Sequence, residues 1–125
     1  MSITKKIWTG TVDFFSSEEL TQPELSDFVD LESEGYEGIQ IKITGWFSAC
    51  PHNLICELSG SIDGVRADDI PLMAMTLYKK TYNETAFSFI IKNITGFRVK
   101  FSQSQTPSGF ITVLGQYRAW KWQNT

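Results

Sequence analysis

The chain has 125 residues, a formal net charge of −3 and a pI near 5.1. That length makes one domain, residues 1–125, able to bury a core without metal or disulfide staples. The acidic balance argues against nucleic acid as a partner, because non-specific binding there needs a basic footprint. No apolar run approaches the roughly 20 residues that cross a bilayer, so no membrane contact is expected. Residues 1–9 carry Lys5 and Lys6 with no apolar stretch behind them, which does not read as a signal peptide.

In chain order, residues 3–14 place Ile3, Ile7, Val12 and Phe14 around Gly10 and predict one opening strand. Residues 13–37 differ in character, with nine acidic residues and no lysine or arginine. Within them Ser16, Ser17, Glu18, Glu19 and Leu20 put hydroxyls before acids, the pattern of a helix start. Pro23 permits a second start, and Leu25, Phe28 and Val29 form a small apolar stripe over 24–31. This predicts a long acidic loop carrying a short helical turn. It reads first as a solvated face of the domain, and its length adds weight to the alternative, an arm that docks on a basic neighbour.

From Gly38 onward the period is two. Ile39, Ile41 and Ile43 alternate with Gln40, Lys42 and Thr44, and Trp46 and Phe47 continue the run. Residues 54–61 set Leu54, Cys56 and Leu58 opposite Ile55, Glu57 and Ser59, and residues 71–78 alternate Met73, Met75 and Leu77 with Leu72, Ala74, Thr76 and Tyr78. The closing third holds three more strands, at 86–92, 97–102 and 109–115, separated by turn-forming N-I-T-G and S-Q-T-P-S-G. In the middle one Phe97, Val99 and Phe101 oppose Arg98, Lys100 and Ser102. Tyr117, Trp120 and Trp122 end the chain as a further strand. Many short strands with polar turns predict an all-β fold, an antiparallel β-sandwich or jelly roll.

No catalytic constellation accompanies this pattern, and no enzyme activity or cofactor is expected. Cys50 and Cys56 flank Pro51, His52 and Asn53. Two reduced thiols suit a cytosolic protein, a disulfide needs a turn between them, and a zinc site lacks a second ligand cluster. Asp63, Asp68 and Asp69 around Gly64 do not match a calcium loop and read as a solvated turn. His52 has no G-x-S-x-G partner and no phosphate-binding G-x-x-x-x-G-K occurs. Asn83-Glu84-Thr85 and Asn93-Ile94-Thr95 match glycosylation sequons, which carry no weight without secretion.

Trp8, Trp46, Trp120 and Trp122 are many for this size, and an extended C-terminus puts Trp120 and Trp122 on one face. Core packing, an intersubunit contact and stacking on sugar rings are the three readings of such residues. Interface candidates are therefore Asp27, Phe28, Asp30 and Glu32 in the acidic segment and Tyr117, Trp120 and Trp122 at the C-terminus.

The order S-G-S-I-D-G-V at 59–65, F-S-F-I-I-K-N-I-T-G-F-R-V-K-F at 87–101 and S-G-F-I-T-V at 108–113 resembles small β-sandwich proteins of tailed bacteriophages. The resemblance spans residues 38–115, and Val65, Arg66 and Ala67 stand where that pattern usually has a tryptophan. It implies a virion structural protein assembled in the host bacterial cytoplasm: a capsid decoration, head fibre, or tail or adaptor subunit. Self-association and contact with other virion proteins follow from it. A carbohydrate-binding or host-recognition module is the alternative on the same fold.

Overall fold

Runs in which apolar and polar residues alternate become strands, and their apolar members meet between two antiparallel sheets. The computed structural model describes residues 4–48, 50–61, 67–79, 84–92, 94–106 and 108–124. The turn containing Asp63 and Gly64, and the sequon residues Asn83 and Asn93, lie outside the described residues. The strands are β1 (Thr4–Trp8), β2 (Val12–Leu20), β3 (Glu24–Leu25), β4 (Val29–Asp30), β5 (Gly38–Ser48), β6 (Leu54–Gly60), β7 (Met73–Leu77), β8 (Glu84–Lys92), β9 (Gly96–Gln103) and β10 (Phe110–Asn124). In the first sheet β10 is central, with β1 and β2 sharing one of its edges and β5 then β8 following on the other. In the second, β3 and β4 share one edge of β9, and β6 then β7 lie beyond it.

The core lies between the sheets. Ile39, Ile41 and Ile43 of β5 and Ile111, Val113 and Ala119 of β10 face Leu54, Cys56 and Leu58 of β6 and Phe97, Val99 and Phe101 of β9. Each of the larger side chains, fully removed from water, contributes about 1.5–3 kcal/mol of transfer free energy. The alternation read in residues 39–43, 54–58 and 97–101 therefore holds, and the fold is the expected all-β sandwich.

Strand β2 fills the space between sheets by breaking its own register. Gly115 of β10 pairs with Phe15 but Gln116 pairs with Asp13, so β2 carries one extra residue there. A bulge of this kind lets adjacent side chains turn toward the same side. Phe14 meets Phe97 edge-on at 5.2 Å, and Phe15 stacks on Phe101 at 4.3 Å. Gly115 makes the close approach possible, since a Cβ there would lie 2.7 Å from the tip of the Phe14 ring.

At the far end of the sandwich the buried Gln103 side chain ties three segments together. Its Nε2 donates to Leu20 O at 2.9 Å and Gly109 O at 3.2 Å, while its Oε1 accepts from the Ser108 N–H at 3.1 Å and the Cys50 thiol at 3.5 Å. Gly109 takes a positive φ of 71° at this junction, a conformation that costs glycine nothing. Cys50 and Cys56 are both free and buried, so the disulfide alternative does not form.

The helical turn expected in the acidic segment is absent. Residues 16–20 belong to β2, and residues 24–31 hold β3 and β4 rather than a helix. The hydroxyl-then-acid cap is a local preference, whereas the edge of β10 offers a ladder of unpaired backbone groups that β2 satisfies. The apolar stripe also divides: Leu25 is exposed, Phe28 rests on Gly96, Val29 packs on the core, and Leu31 is buried. Ser26 replaces ladder geometry between β3 and β4, its N–H donating to Val99 O at 2.9 Å and its Oγ accepting from Val99 N–H at 3.0 Å. The segment is thus the edge of the second sheet and part of the folded chain. Two further boundaries move: the opening strand becomes β1 and β2, and the two C-terminal runs fuse into the 15-residue β10.

Gly115→Ala is expected to cost about 1–3 kcal/mol through overpacking against Phe14. In a Phe14→Leu background the same substitution should cost clearly less, as urea unfolding of the double-mutant cycle would read. Burial pushes the Cys56 thiol up from its ordinary 9.0 to about 12. The unfolded chain therefore loses this proton first, so Cys56 contributes stability below pH 9 that is lost as pH rises toward 12. Iodoacetamide at pH 8 should leave Cys56 unmodified in the native protein and label it in urea.

Candidate interaction surface

β10 runs past the last core position, Ala119, and its alternation then places Trp120 and Trp122 on the outer face of the first sheet. β1 pairs with this extension, setting Trp8 opposite Trp120 and Lys6 opposite Trp122. The three indoles form a continuous cluster, with Trp8 and Trp120 at 6.4 Å and Trp120 and Trp122 edge-to-face at 5.3 Å. Trp120 sits over Gly38, directly opposite it on β5, where any Cβ would strike the indole. It is only 4% exposed despite lying on an outer face, whereas Trp122 is 53% exposed. Among the described residues the buried Trp120 Nε1 has no acceptor.

Cations cap the cluster. The Lys6 ammonium lies 4.3 Å from the Trp120 ring centre and 5.5 Å from that of Trp8, and the Arg118 guanidinium stacks on Trp8 at 4.0 Å. Such contacts are worth about 0.5–1 kcal/mol each at exposed sites. Arg118 Nε also donates to Gln40 Oε1 at 2.8 Å, which fixes the guanidinium over the ring. Strand pairing puts Lys42 and Lys92 on the same face, two and three strands from β1 respectively. Among the described residues, no carboxylate lies within 4.0 Å of Lys6, Lys42, Lys92 or Arg118. Beside the indoles a depression of about 360 Å³ is lined by Thr11, Gln40, Lys42, Ser88, Gln116, Tyr117 and Arg118.

A second hollow, of about 310 Å³, opens where β2 meets β4, and its sign is opposite. Asp13, Asp27 and Asp30 stand around walls that include Val12, Phe14, Phe28, Val29 and Tyr117. Asp30 Oδ1 accepts from the Glu32 and Ser33 N–H groups at 3.1 and 3.3 Å, closing the turn before Gly35. The Ser33 side-chain and backbone hydrogen bonds hold the Asp30 carboxyl below its usual range, so it carries charge at neutral pH. Glu32 and Glu34 are exposed on the same turn. Tyr117 contributes to both hollows, which therefore adjoin across residues 11–13.

The residues singled out from sequence thus fall into two groups. Asp27, Phe28, Asp30 and Tyr117 converge on the acidic hollow, with Glu32 on the neighbouring turn. Trp120 and Trp122 belong to the indole cluster on the other side of Tyr117. The Tyr117 ring faces inward, 5.7 Å from Phe97, and burial followed by the neighbouring Tyr36 raises its phenol pKa. Sequence reasoning counted Trp8 among the tryptophans without placing it at the interface, and it missed Lys6 and Arg118. Their signal was an alternation shared by Lys6–Trp8 and Arg118–Trp120–Trp122, legible once β1 and β10 are paired. Among the described residues, no three His, Cys, Asp or Glu side chains are arranged to hold a metal ion.

No family model matches this chain, and no curated protein matches it by sequence. Among solved structures it is similar to the SPBc2 prophage-derived protein YomS, with a TM-score of 0.52 and 14% identity over 95% of this chain and 96% of that one. It also aligns with a chain from Bacillus endospore appendages, described as disulfide-linked pili, at a TM-score of 0.47 and 8% identity, covering 96% and 88%. A chain of infectious bursal disease virus, Gt strain, aligns at 0.45 and 12% identity, covering 95% of this chain and 32% of that one. The likeness to the prophage-derived protein is one of fold, and it runs through nearly the whole of both chains.

Burial separates the two C-terminal tryptophans energetically. Trp120→Ala is expected to cost about 3–5 kcal/mol, while Trp122→Ala should stay within about 1 kcal/mol. Equal losses in urea unfolding would show that the cluster is not layered as described.

Proposed function

We propose that this protein is a non-enzymatic structural subunit of a bacteriophage virion, working through contacts with copies of itself and with neighbouring virion proteins. The observation that carries this reading is the cation-capped tryptophan cluster, exposed at Trp122 on the outer face of the sandwich. Tryptophan and arginine are the residues that anchor protein interfaces, because they combine a large apolar area with a polar edge. The end-to-end fold likeness to a prophage-derived protein supports the phage setting. Within that setting a capsid decoration or a head or tail accessory subunit is the role that suits a small sandwich whose surface offers contacts. Such subunits assemble in closed symmetric sets.

A second reading has its own observation. The depression beside the indoles is lined by hydrogen-bonding groups of Gln40, Lys42, Ser88, Gln116 and Arg118. An oligosaccharide of several rings, laid along β10 from Trp122, would meet them, which is the arrangement of a carbohydrate-binding or host-recognition module.

Light scattering of the purified protein at two concentrations and two salt levels separates the readings. A stable oligomer is expected of the virion subunit. A monomer under every condition, with tryptophan fluorescence quenched by added polysaccharide, would overturn it in favour of the sugar-binding module.

A further inference from the structure

The surface carries two neighbouring regions of opposite charge, and neither is neutralised among the described residues. On the outer face of the first sheet Lys6, Lys42, Lys92 and Arg118 have no carboxylate within 4.0 Å among the described residues. Across residues 11–13 the acidic hollow presents Asp13, Asp27 and Asp30, with Glu32 and Glu34 on the adjoining turn. We infer that the cation-capped tryptophan face of one copy docks against the acidic hollow and 27–34 turn of a second copy. This assignment rests on the reading of the protein as a self-associating subunit and names the surface that does it.

The chemistry of the two regions is matched beyond charge. The acidic hollow has apolar walls from Val12, Phe14 and Phe28, and Val12 is itself exposed. A lysine or arginine side chain has an apolar stem and a charged tip, the shape such a hollow takes. On the other side the ammonium of Lys6 and the guanidinium of Arg118 are pre-positioned by their rings and, for Arg118, by Gln40, so little side-chain freedom is lost on docking. Trp122 adds exposed apolar area to the cationic face. Because the two regions lie side by side, a two-fold axis between copies lets each cationic face meet the other copy's acidic hollow, giving a self-complementary interface. Edge pairing of strands is not required: the edges of β10 and β9 that adjoin these regions are already occupied by β1, β2, β3 and β4.

The test is a charge swap read by light scattering at low and high salt. One variant carries Lys6→Glu and Arg118→Glu. The other carries Asp27→Lys, Glu32→Lys and Glu34→Lys, leaving Asp30 to close its turn. All five positions are exposed, and far-ultraviolet circular dichroism confirms that each variant keeps the strand signature. The expected result is that the wild type forms a dimer or an even-numbered assembly, weakened about tenfold or more by high salt. Each variant alone is then monomeric, and an equimolar mixture regains the wild-type mass. If the wild type associates and both variants associate equally well, the assignment of this surface falls while the self-assembling subunit stands. If the wild type is a monomer throughout, both fall.

Discussion

Strand β10 is the constraint on which the rest depends. Buried peptide groups must find hydrogen-bond partners, and a 15-residue strand at the centre of a sheet exposes two ladders of them. β5 satisfies one edge from Ser48 to Gly38 without a break. No single strand of matching length satisfies the other, so β2 takes the first part and β1 the last. The division of labour sets the fate of the N-terminal residues. The acid-rich segment after β2 is carried across to the second sheet, where β3 and β4 complete β9, and it returns through the turn at Gly35 to start β5.

The core follows from this spine. The extra residue at Phe14 turns two rings of β2, in place of one, toward the second sheet. Gly115 is the complement of the bulge on β10, small because Phe14 lies against it. At the opposite end the junction of β9, β10 and the Cys50 turn presents the Leu20 and Gly109 carbonyls and the Ser108 N–H to the buried Gln103 side chain. Gln103 answers with an amide that both donates and accepts. An apolar substitute would leave the buried Leu20 carbonyl unpaired, at about 1–3 kcal/mol.

The surface is a consequence of the same geometry. Because β10 outruns the core, its last outward positions have no second layer to pack against and cover themselves with each other. Trp8, Trp120 and Trp122 form that cover, with Lys6 and Arg118 laid over the rings. The crossing of the chain from β2 to β4 leaves a hollow whose aspartates come from both strands. Two regions of opposite sign are thereby set next to one another around Tyr117.

The class of fold and most of the core are legible in the order of residues alone. Period-two alternation in residues 39–43, 54–58 and 97–101 names the side chains that become buried, because successive side chains in a strand must point to opposite faces. It likewise placed Trp120 and Trp122 together. The fate of residues 13–37 was settled by long-range pairing, since a cap motif is a weak local preference and an unpaired sheet edge a strong distant demand. Such pairing also decided that Trp8 and Lys6 join tryptophans more than a hundred residues away, and that Asp27 and Asp30 meet Asp13 and Tyr117. Those encounters depend on strand order and register, which no local pattern carries, because the hydrogen-bond partner of a strand is chosen by the rest of the chain.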